Sequence, residues 1–213
     1  MSFISPKLNK INMIYRALGV AGDASTRTLE LVFASFEVSG KKWDVEVKQT
    51  ASVSYPSDLQ QRLQTAAASS AIVYLQLHVD YGHWIGEQIK QFIEEHQLDY
   101  QIQLIGLKGH TAIHSPETKL SHALGDAAAV AANVGVNVVS DFRNIDLALN
   151  GKADPVFAFA SKLLPAPADV HVDAFYSAFF ALLRWREENN LLSADTGALR
   201  DSIGGAVWVG QEW

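Results

Sequence analysis

Three short groups of residues have the types and spacing to do chemistry. Asp141-Phe142-Arg143 follows the apolar run 136–139. A carboxylate and a guanidinium just past a strand end lie where open α/β sheets form their ligand crevices. The same pair also suits an aspartate capping the next turn and an arginine in a surface ion pair, and the residues themselves leave both open. His110-Thr111-Ala-Ile-His114 sets two imidazoles four residues apart, which on a helix would share a face. Here the segment follows a strand, and neither a cysteine nor an adjacent glutamate completes a zinc set, so no metal site is expected. Gly19-Val-Ala-Gly22-Asp-Ala-Ser25 has the small residues of a loop that phosphate can approach. It lacks the Gly-Lys-Ser/Thr of a nucleotide loop and does not fit the dinucleotide fingerprint. Taken alone it reads as an ordinary turn.

These groups need strands and helices to position them. Residues 14–21 read as a strand that runs into the small polar turn at 22–26. Leu29, Leu31, Phe33 and Phe36 roughly alternate, and Trp43, Val45 and Val47 alternate with Asp44, Glu46 and Lys48 after a turn at Lys41-Lys42. Three such strands in succession predict an antiparallel meander. Pro56-Ser57-Asp58 starts a helix, and Tyr81, Trp84, Ile85, Ile89, Phe92 and Ile93 predict another. Short strands are expected at 102–105 and 136–139, with an alanine-rich helix at 126–133 stopped by Gly135. Parallel pairing across that helix follows. Residues 164–169 read as a linker or sharp turn. Phe175, Ala178, Phe179, Leu182, Leu183 and Arg186 then trace one face of a long helix, and 204–209 reads as a last short strand. If the face at Phe175, Phe179 and Leu182 lies exposed, association is expected.

Composition narrows the function. The 213 residues are 48% hydrophobic, enough for a full core, so a disordered chain is excluded. Seventeen basic and 23 acidic residues leave a net charge of −6, with no long basic cluster. Such a surface repels phosphate backbones and anionic lipids, so neither nucleic acid nor a membrane is an expected partner. The absence of cysteine excludes disulfides and thiol nucleophiles. No apolar leader or spanning run is read, and the expected location is cytoplasmic.

The segment Ile105-Gly-Leu-Lys-Gly-His-Thr-Ala-Ile-His-Ser-Pro-Glu, then Leu124-Gly-Asp126, then Val138-Val-Ser-Asp-Phe-Arg-Asn-Ile-Asp146 resembles the anhydro-N-acetylmuramic acid kinases. Ser193-Ala-Asp-Thr196-Gly197-Ala198 is similar to that family's C-terminal Ser-x-Thr-Gly-Ala, and Gly19-Val20 stands where its phosphate loop begins. The resemblance implies an α/β protein: a single ribonuclease H-like (actin-like ATPase) domain with a mixed sheet flanked by helices. Residues 14–165 would form the kinase-like first lobe, and 172–213 a helix and strand returning to it. It also implies ATP-dependent opening and phosphorylation of a 1,6-anhydro sugar in cell-wall recycling. Thr111, Asp141 and Arg143 would bind the sugar's hydroxyls and lactyl carboxylate, with Gly22 and Ser25 as a phosphate-loop remnant.

The chain departs from the family where phosphate is handled. The pattern Ser-Gly-Thr-Ser-x-Asp-Gly is here Gly22-Asp23-Ala24-Ser25-Thr26-Arg27-Thr28, which sets a carboxylate where backbone N–H groups should meet phosphate. Lys108 replaces a histidine, and Asn150-Gly-Lys-Ala-Asp-Pro155 has lost two glycines of Gly-Gly-Gln-Gly-Ala-Pro. The family's Asp-Thr-Gly-Pro-Gly-Asn and Gly-Gly-Gly motifs, which carry the general base and nucleotide pocket, are not found after Leu164-Pro165. Phosphoryl transfer depends on positioning two substrates in line. The expectation is therefore a kinase-derived carbohydrate-binding or interaction module without catalytic residues. No metal or cofactor is expected, ATP and Mg²⁺ entering only if the family's activity survives. The alternatives are an active kinase completed by another chain and a purely structural partner. Expected partners are an amino-sugar ligand, and a second copy of the chain or a full-length kinase.

Overall fold

The computed structural model describes residues 13–39, 42–153 and 157–189, and the backbone of 207–209. Strands β1 (Met13–Asp23), β2 (Thr28–Ser39) and β3 (Lys42–Ser54) form the antiparallel meander. The β1–β2 register runs from Met13 opposite Val38 to Asp23 opposite Thr28, so only four residues turn the chain between them. Helices α1 (Ser57–Thr65) and α2 (Ala71–Glu95) follow, then β4 (Leu104–Lys108), parallel to β1. A separate two-stranded ribbon, β5 (His110–Ser115) with β6 (Leu120–Leu124), leads into α3 (Ala127–Val134). The chain continues through β7 (Val138–Ser140), α4 (Asn144–Ala148), α5 (Ala158–Leu163), α6 (Val172–Glu188) and β8 (Val207–Val209). The sheet order β3-β2-β1-β4-β7-β8 is the mixed, ribonuclease H-like arrangement, with β7 parallel to β4 and β8 antiparallel to β7.

Local sequence explains most of these elements. On edge strand β3, Trp43, Val45 and Val47 are half-buried while Asp44, Glu46 and Lys48 are exposed, and charges on an open edge discourage further pairing. Asp126 caps α3, its Oδ1 accepting from the Ala128 N–H at 2.9 Å. Gly135 ends that helix with a left-handed φ of 67°. Helix α2 begins ten residues before Tyr81, at a Ser70 cap, and buries Tyr81, Ile85, Ile89 and Phe92. The ribbon and the short helices α4 and α5 go beyond the sequence reading. The motif at 193–198 and the first half of the 204–209 strand lie outside the described residues.

Alternation along the sheet gives it two apolar faces. Leu18, Val20, Leu31, Phe33, Ile105 and Leu107 pack toward the α2 side, with Leu77, Tyr81 and Ile85. Ala17, Val32, Ala34, Phe36 and Val139 pack against α6, with Phe175 and Phe179 fully buried. Burying each such ring is worth about 1.5–3 kcal/mol. The face of α6 that would invite association if exposed is therefore consumed within the fold. Helix α6 comes so close to the sheet that a Cβ at Gly19 would sit 1.7 Å from the Ala174 carbonyl oxygen, and one at Gly106 would sit 1.9 Å from that of Ser177. No helix among the described residues is long and apolar enough to cross a membrane.

Candidate functional site

Parallel pairing of β4 with β7 sets Leu107 opposite Ser140 and brings the carboxyl ends of the two strands together. Asp141 immediately follows β7, and Lys108 ends β4. Thr111 reaches the same place from the ribbon rather than from a loop at the strand end. The Arg143 guanidinium donates through Nη1 to Thr111 Oγ1 at 2.9 Å. Thr111, Asp141 and Arg143 line one small cavity of about 30 Å³, together with Lys108, Ser121 and Phe142. That is room for roughly one water-sized polar group.

Asp141 adopts a left-handed backbone, φ 60°, which aspartate tolerates better than most residues. Its Oδ2 accepts a short hydrogen bond from Asn144 Nδ2. Burial raises its carboxyl above the ordinary aspartate value, against the opposing effects of Asn144 and His122. One guanidinium, one hydroxyl and one carboxylate with an oxygen to spare can hold a carboxylate or hydroxyl group of a ligand.

The turn at 22–25 is arranged differently. Gly22 is buried, and a Cβ there would lie 2.0 Å from the Tyr81 hydroxyl oxygen and 2.8 Å from that of Tyr55. The two hydroxyls are themselves 2.7 Å apart, and burial pushes the Tyr55 phenol up to about 12. Beyond Gly22, the Ser25 N–H donates to Asp23 Oδ1 at 2.8 Å, and the Ala24 N–H donates to His110 Nδ1 at 3.2 Å. Since His110 Nδ1 accepts, its 3.9 Å approach to Asp23 Oδ1 is not an ion pair of the neutral ring. Burial lowers the His110 pKa despite the nearby Asp23.

Beside this turn lies a second cavity of about 320 Å³, lined among others by Gly22, Asp23, Glu30, Lys108, His171 and Asp173. Lys108 pairs there with Asp173 through a short Nζ–Oδ2 contact, and His171 Nδ1 lies 2.6 Å from Glu30 Oε2. Three carboxylates therefore line the cavity with one lysine and one histidine.

The structure thus gathers Thr111, Asp141 and Arg143 into one cavity and places Gly22 in the neighbouring one, with Lys108 common to both. Ser25 is exposed at the turn. His110 and His114 belong to the ribbon, and no group able to hold a metal ion occurs among the described residues. Ser121, Glu30, His171 and Asp173 carry no signal in the sequence. They come from three separate stretches of the chain, and no local motif marks them.

Comparison with known proteins points to one family. The family model for anhydro-N-acetylmuramic acid kinase matches residues 15–173. The anhydro-N-acetylmuramic acid kinase of Pasteurella multocida (strain Pm70) is 30% identical over 150 residues, covering 67% of this chain and 40% of that protein. The kinase of the same name from Sulfurimonas denitrificans is 36% identical over 109 residues, covering 48% of this chain and 30% of its own. That of Paramagnetospirillum magneticum (strain AMB-1) is 26% identical over 124 residues, covering 57% and 35%. The chain spans well under half the length of these relatives.

Proposed function

Because this chain belongs to the anhydro-N-acetylmuramic acid kinase family, we propose that it is a carbohydrate-binding module that recognises an amino sugar and does not itself transfer phosphate. The observation that carries the reading is the contrast between the two neighbouring cavities. Thr111, Asp141 and Arg143 converge on one small cavity, where Arg143 bonds Thr111 and Asn144 bonds only Asp141 Oδ2. Arg143 suits a lactyl-type carboxylate, and Thr111 and Asp141 suit hydroxyls.

The residues around the 22–25 turn do not fit a nucleoside triphosphate. Two N–H groups that would meet phosphate are taken by Asp23 and His110. The adjoining cavity carries Asp23, Glu30 and Asp173 with Lys108 and His171, each of which is already paired with a carboxylate, so its lining does not favour a polyanion. Catalysis of phosphoryl transfer rests on holding the donor in line with the acceptor, and these residues offer the donor no cradle.

Titration of anhydro-N-acetylmuramic acid into the wild type and Asp141→Ala tests the reading. The wild type should bind, and the variant should lose about 1–3 kcal/mol of affinity as a half-buried hydrogen-bonding partner is removed. No heat and no signal with the wild type would leave only a structural role.

A further inference from the structure

The cavity that gathers Thr111, Asp141 and Arg143 holds about 30 Å³ and cannot enclose a sugar ring. Next to it is a cavity of about 210 Å³ that shares Leu107, Gly109, Ala123 and Asp141 with it. Its own polar lining comes from three separate elements: His78 of α2, His122 of β6, and Ser140 at the end of β7. Asp126, the cap of α3, adds a fourth group.

The two imidazoles are held in defined ways. Their ring centroids are 5.2 Å apart, at 55° to one another. His78 Nδ1 accepts from the Gly125 N–H at 3.2 Å, so the neutral ring must carry its proton on Nε2. Burial, with His122 adding to it, lowers the His78 pKa and keeps the ring neutral. His122 Nδ1 is 2.8 Å from the Tyr74 hydroxyl. Each ring thus has one nitrogen fixed inside the protein and, among the described residues, no protein partner on the other. Asp141 has one oxygen tied to Asn144, and Asp126 has one tied to the Ala128 N–H.

We propose that this histidine-lined cavity is the second subsite of the sugar site, and that it takes the uncharged, hydroxyl- or amide-bearing part of the ligand. The proposal rests on the amino-sugar reading above and assigns which residues meet which part of that ligand. Arg143 and Thr111 meet the carboxylate. His78 donates through Nε2, while Ser140 and the spare oxygen of Asp141 exchange hydrogen bonds with hydroxyls. An anion is disfavoured in the larger cavity by Asp126 and Asp141, and no metal-holding group exists among the described residues. A neutral polar group matches donors and acceptors present together.

The test is a titration of anhydro-N-acetylmuramic acid at pH 7.5, followed by calorimetry and by the histidine Cε1–H signals in NMR. The His78 and His122 signals should shift in step with binding, while those of His83 and His96, outside the cavity, should not. His122→Leu should bind about tenfold more weakly, and Asp141→Ala should bind weakly too. If the sugar binds to the wild type but neither histidine signal moves, the subsite assignment fails, whatever the folding of the variant. The amino-sugar reading would then survive through Asp141→Ala alone. If His122→Leu binds like the wild type while the histidine signals stay still, the result is the same. No binding by the wild type overturns both.

Discussion

Two neighbouring sites, both lined by Lys108, arrange their hydrogen-bonding groups differently. At the 22–25 turn the backbone donors are taken by the protein's own side chains, the space above Gly22 is filled by two tyrosine hydroxyls, and the lysine is paired with Asp173. At the 141–143 crevice the guanidinium bonds the hydroxyl, the carboxylate has one oxygen bonded to Asn144, and all three side chains still line a cavity. A glycine or a lysine at an inherited position therefore says little about ligand binding until its contacts are known. Gly22 is accounted for by packing, and Lys108 by an ion pair.

The largest way to break this comparison is Gly22→Ala. A Cβ placed 2.0 Å from the Tyr81 hydroxyl oxygen must push apart a buried tyrosine pair. The expected cost is about 1–3 kcal/mol, a fall in Tm of roughly 3–10 °C for a chain of this size. Sugar affinity measured well below Tm should hold. A stable Gly22→Ala protein would mean that the glycine is kept for something other than packing.

Arg143→Ala should act on the other site. Loss of a charged hydrogen-bonding group predicts binding weaker by about 1.5–3 kcal/mol, roughly 10- to 150-fold, by calorimetry. Its effect should be greater on a ligand bearing the lactyl carboxylate than on one lacking it. Equal losses for both ligands would remove the carboxylate assignment.

A pH test sharpens the contrast further. The native pKa values of His78 and His110 are both lowered, chiefly by burial. As pH falls through about 6.5, the unfolded chain takes up protons that the native rings refuse. Stability should therefore be level between about pH 7.5 and 9 and decline as pH falls below about 6.5. Between pH 7.5 and 6.0 we expect Tm to drop by about 2–4 °C. His110→Asn keeps an acceptor for the Ala24 N–H and removes one titrating ring, so its decline should be shallower. A wild-type Tm that rises on acidification would contradict the assigned charge states.

The smallest expected effect is that of Asp23→Ala. It removes the acceptor for the Ser25 N–H, worth about 0.5–1.5 kcal/mol at this half-exposed position. Removing one carboxylate still leaves Glu30, Asp173 and the His110 contact in place. ATP binding should not appear in a calorimetric titration.

Alternating side chains made the meander readable, since Trp43, Val45 and Val47 lie on one face of β3 and its charges on the other. Asp126 and Gly135 likewise mark both ends of α3. The first ten residues of α2 were less legible because Ile72, Val73 and Leu75 remain exposed and obscure its apolar stripe. The ribbon was hidden for a related reason. Most residues of β5 are half-buried on both faces, and its turn uses Lys119 at φ 56° where glycine or asparagine would signal a hairpin. Thr111 and the Asp141–Arg143 pair were marked by two short motifs, each local in sequence, and they line one cavity. The pairing of His78 with His122 was not, because it joins α2 to the ribbon across 44 residues.

The central claim, sugar recognition without a working phosphate site, is met most directly by one titration. ATP with Mg²⁺ is added to the wild-type chain already saturated with anhydro-N-acetylmuramic acid, with heat and ³¹P NMR followed together. The account predicts retained sugar binding, no saturable ATP heat and no phosphorylated sugar. An ATP Kd below about 1 mM, equivalent to roughly −4 kcal/mol, or the appearance of a sugar phosphate signal, would contradict it.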